Sequence, residues 1–396
     1  MAKEYTVSES VTIGQLIPGG QALTTLASGK KAMLWNALPG EVVAEFTVTK
    51  DKSHYLEGIA TKFSQTSERR IQPQDKCYLA TSPWQNMDYD YELQQKQSIL
   101  QEIFRQHDLK YTEEIPLVQT DGHDLFYRNK MEYALYYSHD DAKIHLAFHS
   151  RGTHRKIPIA SSSIERREIF EHAQKVVAEL NAKDADARAY QSLLLRCDQS
   201  GKVSGGLFEN HKSHPQFANL SDTLLGQTYS YSPNGFFQIN LPVYEMALRE
   251  IQTHVQTTKI LDLYAGVGTI GLSVAHEQDL TLVECDHTAY QELERNCQGV
   301  NNAHPIYAKS EEALDYIHPG QTVILDPPRA GCHANLLQKL LEVCPPVIIY
   351  LSCNPATQAR DVKILSAKYR ITSVTPFNFF PRTPHLENLI VLEYGS

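Results

Sequence analysis

Cys353 stands in YLSCNPAT, at the end of an apolar run and just before Asn354 and Pro355. Asparagine then proline is the order of a helix N-cap and first helical residue. A cysteine so placed meets the positive end of the helix macrodipole, which favours the thiolate that a nucleophile needs. Asp326 in LDPPRAG also follows an apolar run, and the paired prolines fix the backbone that presents it. Glu387, in PRTPHLENLIVLEY, precedes the final apolar run and can reach the same place. By itself, Glu387 reads as a solvated turn carboxylate.

A second group points to a cofactor. Gly266, Gly268 and Gly271 in GVGTIG follow the run KILDLYA, and the acid Glu284 ends the next run. That is the dinucleotide fingerprint, with the acid about 20 residues on and set to grip ribose hydroxyls. Nicotinamide dinucleotides fit the glycines as well as S-adenosylmethionine does. Asp262, at the exit of the first run, suits the cationic methionine end of S-adenosylmethionine. The polar and nucleophilic groups at the other run ends offer no hydride-transfer site. S-adenosylmethionine is therefore the expected cofactor.

These residues need a frame, and the C-terminal half supplies one. The runs KILDLYA, LTLVECD, TVILDPP and VIIYLSC alternate with helical stretches such as TAYQELERNCQGV, HANLLQKLLEVC and PATQARDVKILSAKY. Continuous apolar strands separated by helices predict a mostly parallel, doubly wound α/β sheet, whose ligands sit beyond the carboxyl ends of the strands. RITSVTPFNFF and ENLIVLEYGS add two strands with no helix between them. Residues 1–65 alternate β-type runs with PGG, SGK and LPGE, which predicts about five short strands and an OB-type β-barrel. Residues 66–225 hold a helix near YELQQKQSILQEIFRQHDL, strands MEYALYYS and KIHLAFHS, and a helix near ERREIFEHAQKVVAELNA, a small α+β domain. The third domain is expected over 226–396.

The 396 residues, 42% hydrophobic and 21% charged, describe an ordinary globular protein of two or three domains. The start lacks the layout of a secretory signal, and no apolar run nears the roughly 18 residues a membrane helix needs. Seven scattered cysteines suit a reducing cytoplasm. The net charge of −9 is awkward for a polyanionic partner, but screening over about 8–10 Å lets a local basic patch act alone. Such patches include Arg128 and Lys130, the run Arg151, His154, Arg155 and Lys156, and Arg166 with Arg167. Each of these also reads as a plain solvated face.

Taken in order, NGFFQIN, LDLYAGVGTIGL, LDPPRAG, LSCNPATQARD and FPRTPHLENLIVL resemble the bacterial RNA uracil-5-methyltransferases of tRNA and 23S ribosomal RNA. The resemblance covers nearly the whole chain. Its front half resembles the subgroup with an N-terminal RNA-binding TRAM barrel, and FYRNKMEY resembles that subgroup's central domain. The resemblance implies a class I Rossmann-like methyltransferase forming 5-methyluridine in structured RNA, without an obligatory protein partner. The barrel leans the target toward 23S ribosomal RNA by analogy only. Cys353 is implied to attack carbon 6 of a flipped-out uracil, and Glu387 to remove the proton from carbon 5. Gln238 and Asp326 match positions lining the cofactor and base pocket, and Phe236 an aromatic facing the base. Tyr264, Gly266, Glu284 and Ser310 match cofactor positions, although Ser310 and Thr269 stand where asparagine is frequent.

Relatives with an iron–sulfur cluster have two more cysteines where this chain has Pro83 and Asn86, so Cys77 is left alone. One thiolate cannot hold a cluster that needs about four, and no such cluster is expected. Two rival readings are an RNA cytosine-5-methyltransferase, with Cys332 on the following helix as a second thiol, and an idle RNA-binding protein. Retention of both Cys353 and Glu387 weighs against the second.

Overall fold

Alternation puts every second side chain of a strand on one face, and a shared core follows. In the computed structural model, which describes residues 4–151, 153, 155–212 and 215–395, the front of the chain forms seven strands. They are β1 (Tyr5–Val7), β2 (Val11–Thr12), β3 (Gln15–Leu16), β4 (Ala22–Thr25), β5 (Lys31–Trp35), β6 (Val42–Asp51) and β7 (Tyr55–Gln65). One sheet runs β1-β6-β7-β5-β4-β3, with β2 also on β6, and only the β5–β7 pairing is parallel. Leu34, Val43, Phe46 and Leu56 fill its interior with Trp84 and Met87 from the chain beyond. The expectation of about five strands undercounted, because β1, β2 and β3 are too short to show a period.

Then follow α1 (Tyr78–Thr81), α2 (Tyr89–Gln106), β8 (Lys130–Ser138), β9 (Lys143–His149), β10 (Lys156–Pro158), α3 (Arg167–Ala182), β11 (Tyr190–Cys197) and β12 (Val203–Glu209). The strands form an antiparallel sheet, β10-β9-β8-β11-β12. Tyr133, Leu146 and Leu195 of this sheet pack against Ile169 and Ala173 of α3. Helix α2 goes elsewhere. Asp88 caps it by accepting from Tyr91 N at 2.8 Å, and its Leu93, Leu100 and Phe104 bury against Leu261, Ile348 and Val362 of the C-terminal half. The hairpin β13 (Leu220–Leu224) and β14 (Gln227–Tyr231) joins that half too, through Leu224, Tyr229 and Tyr231. A boundary at 225/226 thus falls in its two-residue turn, where Leu225 and Gly226 are both left-handed.

The C-terminal half comprises α4 (Leu241–Thr253), β15 (Lys259–Leu263), α5 (Thr269–Val274), β16 (Asp279–Glu284), α6 (His287–Asn296), β17 (Ala303–Tyr307), β18 (Thr322–Leu325), α7 (Ala334–Val343), β19 (Val347–Ser352), α8 (Pro355–Leu365), β20 (Tyr369–Phe377) and β21 (Glu387–Tyr394). Its sheet runs β17-β16-β15-β18-β19-β21-β20. Strands β15 to β19 are parallel, and β21 is antiparallel to both neighbours. Helices α4, α5 and α6 cover one face, and α2, α7 and α8 the other. This is the Rossmann-like α/β architecture expected. Burial on both faces explains the unbroken apolar runs. Strand β17, AHPIY, has no such run, because it lies at the edge, where Pro305 is tolerated. Among the described residues no helix is long and apolar enough to cross a membrane.

Candidate active site

Register brings the reactive residues together. Ser352 of β19 faces Asn388 of β21, so the next step of this antiparallel ladder sets Cys353 opposite Glu387. Gln358 of α8 locks the pairing: its amide donates to Tyr350 O at 2.8 Å and Asn388 O at 2.9 Å, and it accepts from Asn388 Nδ2 at 2.8 Å. Asp326 follows β18, the strand beside β19. Its loop is tied to the start of α8, where Asn354 Nδ2 and Thr357 Oγ1 donate to Arg329 O at 2.9 and 3.1 Å. Asn354 is indeed the N-cap residue and Pro355 the first helical one, although the amide caps no helical N–H.

The electrostatics correct one expectation. The Cys353 thiol is pushed up to about 11 by burial, then by Glu387 and Asp326, against the opposing contact of Arg329. Burial does most of this and the two neighbouring carboxyls add to it, so together they outweigh the helix dipole. Cys353 is a thiol at rest. Burial lifts Asp326 to about 7. Burial and then Asp326 raise Glu387 well above the ordinary carboxylate range, with Arg329 opposing. Glu387 is only 3% exposed and its Oε2 has no partner among the described residues, so it is no solvated turn carboxylate. A cavity of about 200 Å³ opens over Cys353, lined by Lys96, Arg329, His385 and the Pro18–Gly19 turn among others.

Phe236 and Gln238 lie on the loop between β14 and α4, gripped from the middle sheet. Lys130 Nζ donates to Asn234 O at 3.2 Å and Gly235 O at 3.0 Å. Arg196 donates to Gly235 O at 3.3 Å and to Phe237 O. Asn129 donates from its side chain to Gln238 O and from its backbone to Ile239 O, both at 3.1 Å. Phe237 stacks on Tyr231 at 4.0 Å between centroids. On this clamped loop the Phe236 ring is 71% exposed, while Gln238 is buried.

The cofactor candidates cluster at the exit of β15. Tyr264, Gly266 and Gly268 all have left-handed φ, at 65°, 57° and 90°. A Cβ on Gly271 would lie 2.7 Å from Asp262 Oδ2. Glycine there lets the Gly271 N–H reach that carboxylate at 2.8 Å. Asp262 is fully buried, its Oδ1 has no partner among the described residues, and burial raises it to about 8. Glu284 accepts from Gly266 N at 2.8 Å, Cys285 N at 2.7 Å and Asp286 N at 2.6 Å, so it orders the glycine turn while ending β16. Ser310 is buried just after β17. Tyr264 lines a separate groove with Glu311, Cys332 and His333, among whose lining residues Cys353 is not found.

Cys332 lies before α7 rather than on it, as had been expected, and is buried beside Tyr350 with its thiol pushed up to about 12. It does not line the Cys353 cavity. Cys77 packs in the middle core with Tyr133 and Ile169. Of the basic run, His154 lies outside the described residues. Arg151 stacks on Trp35 at 4.2 Å and donates to Leu79 O, Lys156 donates to Leu135 O, and Arg155 is exposed. Sequence reasoning passed over Arg196, Lys96, His385 and Asn240. Asn240, within NGFFQIN, and His385, within FPRTPHLENLIVL, stood in motifs that carry the family resemblance; Asn240 is wholly buried, with neither amide atom partnered among the described residues.

Comparison with known proteins is consistent with this geometry. Residues 312–394 match the family model described as tRNA (uracil-5-)-methyltransferase. An RNA methyltransferase of Lactiplantibacillus plantarum is 28% identical over 90% of this chain and 91% of its own. One from Staphylococcus aureus is 36% identical over 43% of this chain and 40% of its own. The crystal structure of Pyrococcus abyssi tRNA (uracil-54, C5)-methyltransferase in complex with S-adenosyl-L-homocysteine superposes with a TM-score of 0.76 and 25% identity, over 97% of this chain and all of that one.

Proposed function

We propose that this chain, an RNA (uracil-5-)-methyltransferase by its likeness to that family, forms 5-methyluridine in structured RNA through a covalent bond from Cys353 to uracil carbon 6. The observation that carries this is the adjacency of Cys353, Glu387 and Asp326 at the ends of neighbouring strands. Uracil carbon 5 is a poor nucleophile until carbon 6 is attacked, so a sulfur nucleophile and a later base must share one site.

The residues divide the work. The sulfur of Cys353 bonds to carbon 6 as its proton leaves, and Asp326, the buried carboxyl whose charge bears on that thiol, is the group we assign to take the proton. The electron pair moves through carbon 5 toward the carbonyl oxygen at carbon 4. S-adenosylmethionine, when bound, supplies the electrophilic methyl group for carbon 5. Glu387 then removes the carbon-5 proton, and the carbon–sulfur bond breaks to restore the double bond. Loss of water makes the ionised Glu387 a stronger base than an exposed carboxylate. Phe236 offers an exposed ring for the flipped base to stack on, and Gln238 an amide beside it. The buried Asp262 Oδ1, without a partner among the described residues, and the left-handed glycine turn fit the amino-acid end of the cofactor, and Glu284 with Ser310 its nucleoside.

The N-terminal sheet fits an RNA-binding TRAM-like barrel, the middle sheet a second RNA-binding unit and the C-terminal half the methyltransferase domain. Ribosomal RNA is the first target to test. Transfer RNA is a second reading, because the Pyrococcus abyssi tRNA enzyme matches nearly the whole chain, so a front sheet does not by itself select ribosomal RNA. Incubation with 5-fluorouracil-substituted 23S fragments and tRNA should trap a covalent complex, since fluorine cannot leave as a proton. Cys353→Ala should trap nothing while still binding S-adenosyl-L-homocysteine. Methylation by that variant at the wild-type rate would overturn the covalent mechanism.

A further inference from the structure

The front sheet is placed to do more than hold RNA. Its β3–β4 turn, Pro18 to Gly20, reaches the cavity over Cys353: Pro18 and Gly19 line that cavity with Pro384, His385 and Leu386. Those last three belong to the segment that leads into Glu387. At Gly20 the approach is closer than any side chain permits. A Cβ there would lie 2.3 Å from Pro384 Cβ and 2.6 Å from its Cγ. Trp84 joins the two segments, donating from Nε1 to Gly20 O at 3.0 Å and from its backbone N to Arg382 O at 3.1 Å.

The segment cannot give way freely on its other side. Lys96 of α2 donates to Asn378 Oδ1 at 2.6 Å and Phe380 O at 3.1 Å. Glu92, paired with Lys96 at 2.9 Å, accepts from Arg382 N at 3.0 Å. Arg382 in turn donates to Met87 O at 2.7 Å and to Asp124. The stretch before Glu387 is thus held between a buried ionic cluster and the glycine turn.

We propose that the Pro18–Gly20 turn is a positioning element of the active site: it closes the cavity over Cys353 and sets the segment that presents Glu387. The inference rests on the reading of Cys353 and Glu387 as nucleophile and base. It predicts that the front sheet contributes to turnover and not only to RNA affinity.

The turn supplies its own control. Gly19 and Gly20 have nearly the same left-handed φ, 95° and 93°, but a Cβ on Gly19 meets nothing within 4 Å. Alanine strains the backbone alike at both positions, and only at Gly20 does it press on Pro384. To reach ordinary carbon contact, Gly20→Ala must part turn and segment by about 1 Å or more. We expect kcat to fall at least about tenfold in Gly20→Ala relative to Gly19→Ala, with KM for RNA and cofactor little changed. Iodoacetamide should also alkylate Cys353 faster in Gly20→Ala, read by mass spectrometry of its peptide with exposed Cys285 as the internal reference. Alkylation reports the cavity even if methylation of uridine is not the reaction, so a failure of that reading stays distinguishable. Should Gly20→Ala not fold, Trp84→Phe removes the bond to Gly20 O while keeping the ring, and the same two changes are expected. Equal kcat and equal alkylation in the Gly19 and Gly20 variants, or in wild type and Trp84→Phe, would overturn the proposal.

Discussion

Arg196 has no access to solvent, yet it holds the loop that offers Phe236, and Arg196→Met should separate activity from stability. Burial pulls the guanidinium from its ordinary 12.5 to about 10, with only modest opposition from Tyr231 and Asp222. A drop of that size corresponds to about 3 kcal/mol against the charged form. Its bonds to Gly235 O, long at 3.3 Å, and to Phe237 O return roughly 1.5–3 kcal/mol each. Removing the charge and its bonds together therefore changes folding stability by about 3 kcal/mol or less. The loop fares worse. Freeing one or two residues there restores about 1–2 kcal/mol of backbone freedom apiece, which must be lost again when the base binds. A cost of roughly 1–4 kcal/mol lowers kcat/KM about 5- to 1,000-fold. The assay is transfer of labelled methyl groups to RNA beside a thermal melt and a titration with S-adenosyl-L-homocysteine. Arg196→Lys, which keeps the charge and one donor, should fall between. Full activity in Arg196→Met with an unchanged melting temperature would refute the clamp. A loss of cofactor affinity as large as the loss of rate would place Arg196 in a different role.

Asp262 tests the buried acid. Its folded pKa of about 8 lies above its ordinary 3.8, so its contribution to stability is complete below about pH 4 and lost as pH rises through about 8. Asp262→Asn, which keeps an acceptor for Gly271 N, should melt higher than wild type, by a margin that widens from pH 5 to pH 8; a constant margin would refute the shift. Arg155 and Arg151 test the RNA face. Exposed Arg155, changed to Ala, should flatten the log–log salt dependence of RNA binding by about 0.7 if it touches a phosphate of single-stranded RNA, with the melting temperature unchanged. Arg151→Ala, losing the Trp35 stack and the Leu79 bond, should lower the melting temperature; the reverse pattern would mean that Arg151 is the phosphate contact.

The strand ends were legible because a strand buried on both faces is apolar nearly throughout, so Asp326 stands out directly after its run and Cys353 one residue after Ser352. Glu387 was less so, since only the β19–β21 register shows that it faces Cys353. The β13–β14 hairpin hid behind Asp222, an inward polar residue whose bond to Tyr231 OH is made only in the fold. Arg196 sits in the apolar stretch LLLRC, and nothing local says that its partners are carbonyls of Gly235 and Phe237. Glu92 and Lys96 resemble an ordinary exposed i,i+4 pair on α2. Their burial depends on Asn378 and Arg382, which no sequence period connects to them. The thiol state of Cys353 was misread for the same reason: the dipole is local, while the burial that raises the thiol, and after it Glu387 and Asp326, come from elements distant in sequence.

The bond from Lys96 to Asn378 spans 282 residues, and this sets an order on the chain's manufacture. At roughly 5–20 residues per second, α2 leaves the ribosome roughly 14 to 56 s before its partner segment exists. During that interval the seven-stranded front sheet can close, but Leu93, Leu100 and Phe104 wait for Leu261, Ile348 and Val362 to cover them. The Glu92–Lys96 pair, later sealed from solvent, is then a pair of ordinary water-facing charges that keeps the waiting helix soluble. The same two side chains thus serve the nascent chain as a solubilising face and the finished one as an anchor, and a chain cut short before Leu261 would be left with an uncovered apolar helix face for chaperones and proteases to find.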